Sequence, residues 1–344
     1  MSCLLIGFVG ALLATNQPAA VSDLLQQSTG ISLKAPNAST NDPVEKELDG
    51  ILEQDDAAQA EVDKWLQDNA GFASKGAEVP REEMRRRIQK RLEPVSQAYQ
   101  KFIEQHPTNS RARVAYASFL GDTKSEDAAE EQLEKALAID TNNPAIYNNL
   151  ANIYGHHGPV KKAFDYYARA LQLNPNEPVY YHNLGTTVFL FRKDAQEFYG
   201  IDEQQVFNKA FELYSNAMRL EPNDFPLASD VAQTYYGVHP FRPQDALQAW
   251  TNALQLAHDE VEREGVYIHL ARISIMSQHF DEARAILQSV TNDVYTDLKS
   301  RVARNLEERQ KAAQGSNAVP ATVEKASAEP TTVVPKGQPP PKDE

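Results

Sequence analysis

The sequence predicts an all-α protein in which antiparallel helix pairs stack into a solenoid. Three observations predict this fold class. Helix-like segments, separated by short turns of Pro, Asn, Gly or Asp, run from Arg81 to about Asn305. The convincing alternation of apolar and polar residues that predicts β-strands is missing from the sequence. One pair of core positions also recurs at a spacing close to 34 residues, which is typical of a repeat protein.

The recurring positions lie on both helices of each pair. On the second helix a small residue precedes a bulky one by four positions, and both series advance by 34, 34, 47, 36 and 37 residues. The small residues are Val95, Ala129, Ala163, Ala210, Ala246 and Ala283, and the bulky ones are Tyr99, Leu133, Tyr167, Tyr214, Trp250 and Leu287. The first helix has its own pairs, Tyr116-Ala117, Leu150-Ala151, Leu184-Gly185, Val231-Ala232 and Leu270-Ala271. Small residues let two helices approach closely and bulky residues fill the gap, so these positions predict packed helix pairs.

The unit from Pro144 to Glu177 shows the repeat most clearly and is 34 residues long. Its defining residues are Tyr147, Leu150, Ala151 and Tyr154 on the first helix, Ala163, Tyr167 and Ala170 on the second, and Pro175 at the end. This pattern resembles the tetratricopeptide repeat (TPR). The resemblance implies a right-handed α-solenoid whose first helices, called helices A, line a concave surface along which partner segments lie.

The chain is expected to divide into five parts. These are a signal peptide (1–20), a linker (21–40), an N-terminal helical region (41–75), a solenoid (81–309) and a disordered Pro-rich tail (315–344). Within the solenoid we expect one incomplete repeat at about 81–109, whose first helix departs from the pattern, then five fuller repeats and a capping helix at 293–306. The apolar stripe predicted for the cap comprises Val294, Leu298, Val302 and Leu306. Whether the N-terminal helix caps the solenoid or occupies its groove is open.

The N-terminus reads as a targeting segment. Residues 3–14 form an uninterrupted apolar run of twelve, which suits a signal peptide and is too short to span a bilayer. We therefore expect an exported protein, periplasmic or envelope-associated, with a cytoplasmic protein as the alternative. No other run is long enough for a membrane helix, so the mature chain is expected to have no integral membrane segment.

Charge and composition limit the partners and the chemistry. The net charge of −14 repels nucleic-acid phosphates, so no nucleic-acid partner is expected. Cys3 is the only cysteine, which excludes a disulfide within the chain and a Cys-based zinc site. The sequence has no Gly-rich phosphate loop, G-x-S-x-G elbow or H-E-x-x-H motif, so we expect neither an enzyme nor a cofactor or metal. The oligomeric state is open.

An insertion near 190–205 accounts for the spacing of 47. It is predicted to be a lengthened helix A followed by a turn at Gly200. Its apolar residues Phe189, Phe191, Phe198 and Tyr199 are unusual for an insertion. They either pack onto the insertion's own helix or form an exposed contact for a partner.

The TPR resemblance also implies the binding residues, one set on each helix A. The candidates are Asn148, Asn152, His182, Thr186, Gln233, Tyr236 and Arg272. Amide side chains of this kind can pair with the backbone of an extended peptide. Asn149 and Asn183 match the asparagine of the clamp with which some TPR proteins grip a C-terminal carboxylate, but Val114 and Ala145 occupy places where that clamp needs basic residues.

These observations favour a scaffold or adaptor that binds a protein or peptide on the concave surface. The alternative is an accessory or regulatory subunit of an envelope enzyme or secretion complex, with catalysis supplied by the partner. A weaker alternative is an enzyme that uses the insertion as a lid over its active site.

Overall fold

The computed structural model describes residues 42–73, 78–123 and 125–316. In these ranges the chain forms fourteen α-helices, two 3-10 turns and no strand. The helices are α1 (Pro43–Ala73), α2 (Arg81–Gln105), α3 (Ser110–Asp122), α4 (Glu126–Ile139), α5 (Pro144–His157), α6 (Val160–Leu173), α7 (Pro178–Leu190), α8 (Arg192–Tyr199), α9 (Glu203–Leu220), α10 (Phe225–Thr234), α11 (Pro243–Leu256), α12 (Glu260–Met276), α13 (Phe280–Gln288) and α14 (Thr296–Ser316). The signal peptide and linker expected at 1–40, and all but the first two residues of the expected tail, lie outside the described residues.

The helices pack in pairs, and consecutive pairs stack on one another. The pairs are α1 with α2, α3 with α4, α5 with α6, α7 with α9, α10 with α11 and α12 with α13, while α14 packs against both helices of the last pair. The predicted all-α solenoid of helix pairs is therefore confirmed. Its recurring core positions are buried as expected, with Ala151, Ala163 and Leu150 all fully inaccessible.

Local sequence signals start most of the helices A. Asn109, Asn143 and Asp224 stand at the N-caps of α3, α5 and α10, and each side chain accepts a hydrogen bond from a backbone N–H of the first turn. Such a cap satisfies one of the donors that a helix N-terminus otherwise leaves unpaired. These caps fix where α3, α5 and α10 begin, whereas Glu177 at the N-cap of α7 makes no such bond.

The first pair differs from the expected incomplete repeat. Residues 81–105 form the single helix α2, and its partner is α1 rather than a helix within 81–109. The hydroxyl of Tyr99 donates to the carboxylate of Asp55 at 2.8 Å, and Arg111 of α3 forms ion pairs with Glu45 and Asp49 of α1 at 2.5 and 2.8 Å. Helix α1 thus supplies the first helix A and continues the stack.

The insertion does not lengthen helix A, so that prediction is wrong. Helix α7 ends at Leu190, and Phe191 leaves the helical region with φ −102° and ψ 50°. The separate helix α8 follows and ends at Gly200, whose φ of 66° is the left-handed conformation that glycine adopts without strain. The break turns α8 back against α6, where apolar surface is available for its aromatic residues.

The capping helix also begins later than predicted. Val294 belongs to the 3-10 turn Asp293–Tyr295 and is 68% exposed, so it is not part of the apolar stripe. The stripe begins only with α14, where Val302 and Leu306 are buried. The carboxylate of Glu264 on α12 anchors this end by accepting hydrogen bonds from Thr291 and from the backbone of Asn292.

Candidate functional site

The predicted binding residues lie on four consecutive helices A and on one adjoining turn. Asn148 and Asn152 are on α5, His182 and Thr186 on α7, Gln233 on α10, Tyr236 in the 3-10 turn after α10, and Arg272 on α12. They differ in what they contact. The residues of α5 and the threonine of α7 are engaged inside the solenoid, whereas α10 and α12 present accessible groups.

Asn148 is fully buried, with 0% of its surface exposed. Its Oδ1 accepts a hydrogen bond from Nδ2 of Asn183 on α7 at 3.1 Å. The position that Asn148 occupies lies where adjacent helices A meet, so its amide joins two repeats. The structure therefore removes Asn148 from the surface that a partner can reach, which corrects the prediction for this residue.

Tyrosines on the second helices of the pairs form hydrogen bonds with two more of the predicted residues. The hydroxyl of Tyr167 donates to Oδ1 of Asn152 at 2.6 Å, and that of Tyr214 donates to Oγ1 of Thr186 at 3.2 Å. Both tyrosines stand at the recurring bulky position, as does Tyr99 with its bond to Asp55. This pairing was not predicted, although a tyrosine at a core position needs a partner for its hydroxyl and so predicts a polar residue on the facing helix.

His182 and Asp230 form the first accessible polar cluster. Nε2 of His182 lies 3.6 Å from Oδ2 of Asp230, and their side chains are 25% and 49% exposed. Burial lowers the pKa of His182 to about 4. Burial, and after it the charge of Asp224, raises the pKa of Asp230 to about 6. At neutral pH the imidazole is therefore uncharged and Asp230 is an anion without a histidine counter-charge.

A second cluster surrounds Arg272. Its guanidinium carbon lies 4.5 Å from the centre of the Tyr236 ring, and the Tyr236 hydroxyl lies 3.1 Å from Nδ1 of His269. His269 stacks on the buried Trp250, with the ring centres 4.0 Å apart and the planes within 8°. Burial, and after it the charge of Arg272, lowers the pKa of His269 to about 3. The cluster thus presents one cation, that of Arg272, on a backing of packed aromatic rings.

Gln233 lies between the two clusters. It is exposed on α10, three residues after Asp230 and three before Tyr236. Arg272 is also exposed, and within the described residues it makes no ion pair. A row of exposed or partly exposed groups therefore runs along this surface, and we call it the α10 groove; it comprises His182, Asp230, Gln233, Tyr236 and Arg272.

The aromatic residues of the insertion are half-buried against helices of the solenoid. The rings of Phe198 and Tyr199 lie 5.1 and 5.5 Å from that of Phe164 on α6, and the ring of Phe189 lies 6.0 Å from that of Phe207. Phe191, at the break between α7 and α8, is half-buried like the other three. The rings therefore pack mainly against neighbouring helices, and this geometry gives little support to an exposed partner contact.

In the described ranges, no group of three or more His, Cys, Asp or Glu side chains is placed to hold a metal ion. Of the helices that the structure describes, none combines the length and the apolar character needed to cross a bilayer.

A family model described as "Tetratricopeptide repeat" matches residues 144–177. Among curated proteins, the chain is 31% identical over 99 residues to the "Photosystem I assembly protein Ycf3" of Synechococcus sp. (strain CC9605), a match covering 26% of this chain and 57% of that protein. It is 32% identical over 91 residues to an "Uncharacterized protein" of Haemophilus influenzae, covering 26% of this chain and 51% of that protein. The chain thus spans only about half the length of the curated relatives it matches.

Two solved structures are similar to this chain over about three quarters of its length. "Functional Characterization of Pseudomonas Aeruginosa pilF" matches at 18% identity and a TM-score of 0.46, covering 76% of this chain and 99% of that chain. "Crystal structure of PilW, widely conserved type IV pilus biogenesis factor" matches at 13% identity and a TM-score of 0.49, covering 74% and 98%.

The family match falls on the unit in which the repeat pattern is clearest, and helix pairs of the same construction stack on both sides of that unit. Residues 144–177 therefore form a tetratricopeptide repeat within a solenoid of stacked helix pairs.

Proposed function

We propose that this protein is a scaffold or adaptor that binds an extended segment of another protein in the α10 groove. The observation that carries the proposal is a row of accessible polar side chains, namely Asp230, Gln233 and Arg272. Packed aromatic rings lie behind Arg272. The two predicted residues on α5, Asn148 and Asn152, are by contrast engaged in hydrogen bonds between and within repeats. Binding is therefore assigned to α7, α10 and α12.

The groups in the groove suit the backbone of an extended peptide. The amide of Gln233 can donate to a peptide carbonyl and accept from a peptide N–H at the same time, and the guanidinium of Arg272 offers several donors in one plane. Tyr236 holds Arg272 from beneath, and His269 and Trp250 hold Tyr236 in turn. Since these side chains are already ordered, the protein loses less conformational entropy when it binds a partner.

The matched relative bears the name of an assembly protein, which favours a partner that belongs to a larger complex. This supports the alternative of an accessory subunit as well as that of an adaptor, and the number of partners distinguishes the two. Export to the envelope stays a prediction that rests on the apolar run at residues 3–14.

Site-specific photo-crosslinking in cells tests the proposal. A photoreactive residue replaces Gln233 in the groove and, as the matched control, the exposed Gln248 on the outer helix α11. We expect protein adducts from position 233 and at least tenfold fewer from position 248. One stoichiometric partner indicates an accessory subunit, and many partners indicate an adaptor.

The substitution Arg272→Ala is then added to the protein that carries the photoreactive residue at position 233. Its expected effect is loss of about nine-tenths of the adducts at position 233, because the removal of one anchoring arginine from an interface costs on the order of 1–2 kcal/mol. Arg301→Ala, at an exposed position of α14, should leave the adducts unchanged. Equal adduct yields from positions 233 and 248 contradict the proposal.

A further inference from the structure

We infer that the α10 groove selects a segment that carries both a cation and an anion, three or four residues apart. The cation of the segment lies against Asp230 and its anion against Arg272. The inference rests on the proposed function and adds to it the chemistry of the partner.

The negative end of the groove is formed by Asp230. Its side chain is 49% exposed, and His182, the basic residue beside it, is neutral at the pH at which Asp230 is ionised. The carboxylate of Asp224 adds to the negative potential there. A lysine or arginine of a bound segment would supply the counter-charge that no described residue provides.

The positive end is formed by Arg272. The face of the Tyr236 ring positions its guanidinium without neutralising it. A guanidinium held in this way can form two parallel hydrogen bonds with one carboxylate, a geometry that a lysine does not offer. The aspartate or glutamate of a bound segment fits this end and not the other, because Asp230 repels it there.

The distance between the two ends sets the spacing of the charges. Asp230 precedes Tyr236 by six residues, which is about 9 Å along a helix. Arg272 approaches Tyr236 from the next helix A, and packed helices lie about 8–10 Å apart. The two charged groups are thus separated by on the order of 10–15 Å, a span that an extended chain covers with three or four residues at about 3.3 Å each. Gln233 lies between them and faces the backbone of that span.

Selection from a phage library of random twelve-residue peptides tests the inference. The full-length protein is the bait, in its wild-type form and as the double charge reversal Asp230→Arg with Arg272→Asp. The wild-type protein should enrich peptides with a basic and an acidic residue three or four positions apart in one fixed order. The double variant should enrich the opposite order.

The best wild-type peptide is then synthesised, and its affinity is measured by fluorescence anisotropy. Asp230→Asn and Arg272→Gln should each weaken binding at least tenfold, and the loss should vanish for peptides in which the facing charge is replaced by glutamine. Arg301→Gln and Glu308→Gln, at exposed positions of α14, serve as charge-matched controls that should bind normally.

Gln233→Trp, which fills the groove, separates failure of the inference from failure of the proposed function. Enriched peptides that lose binding to this variant but lack the charge pair overturn the inference and leave the proposed function standing. If every enriched peptide still binds the blocked variant, the groove is not a peptide site and both fail.

Discussion

Asp55 is a carboxylate buried in the first helix pair, with only 6% of its surface exposed. It accepts hydrogen bonds from the hydroxyl of Tyr99 at 2.8 Å and from the amide of Gln59 at 3.4 Å. Burial nevertheless outweighs these bonds and raises the pKa of Asp55 from 3.8 to about 6. The native state therefore holds the proton more tightly than the unfolded state, and ionisation of Asp55 destabilises the fold.

Asp55→Asn should stabilise the protein at about pH 7.5 by on the order of 1–2 kcal/mol, because the asparagine still accepts from Tyr99 but carries no charge. The destabilisation by Asp55 is absent below its ordinary pKa of 3.8 and complete above about 6, so the advantage of Asn should disappear near pH 4. Urea unfolding at the two pH values measures this difference. A variant with equal gains at both values contradicts the assigned cause.

Gly185 shows, at the scale of the element, why one position of helix A must be small. A Cβ added there would lie 2.9 Å from Cε1 of Tyr214 and 3.3 Å from the carbonyl oxygen of Ala210 on α9. The Tyr214 ring is 2% exposed and hydrogen-bonded to Thr186, so it has little freedom to move. The glycine thus sets the distance between α7 and α9.

Gly185→Ala should lower the free energy of unfolding by about 1–3 kcal/mol, the usual effect of overpacking a filled core. Gly121→Ala in α3 is the matched control, since a Cβ there meets no atom within 4 Å. That change should raise the stability by up to about 1 kcal/mol, because alanine favours the helix over glycine. Thermal unfolding of the two variants measures the contrast, and a neutral Gly185→Ala refutes the close approach.

In the insertion, a break between two helices decides where the aromatic side chains pack. An uninterrupted helix α7 would have pointed the rings of Phe198 and Tyr199 away from the stack, whereas the break at Phe191 brings them onto Phe164. The hydrogen bond from Arg192 to the carbonyl of Phe189 spans this break. The extra residues therefore fill the outer side of two adjacent repeats.

At the scale of the molecule, the buried residues of the described ranges form clusters along the stack. The largest runs from Leu48 to Val231, and a small one within its span comprises Ala170, Val179 and Tyr180. Two further clusters follow, the last of which ends at Leu306. Contacts join each pair mainly to its neighbours. In such a solenoid, stability is nearly the sum of terms for single repeats and for adjacent interfaces.

Two fully buried isoleucines test this locality by hydrogen exchange. Ile268→Ala in α12 and Ile146→Ala in α5 should each destabilise by about 2–4 kcal/mol. We expect the first to reduce protection in α10–α14 and leave α1–α4 unchanged, and the second to reduce it in α3–α7 and leave α13–α14 unchanged. Uniform loss of protection in either variant contradicts a nearest-neighbour solenoid.

The sequence by itself determined the helix pairs and the unit at 144–177, because small and bulky core residues and helix caps act over a few residues and recur at a fixed spacing. It also placed Gln233, Tyr236 and Arg272 on helices A or beside one. Only the tertiary structure decided that α1 completes the first pair, that the insertion breaks at Phe191, and that Asn148 is buried while Asp230 is accessible. These outcomes depend on which side chains of neighbouring repeats meet, and a pattern within one repeat does not contain that information.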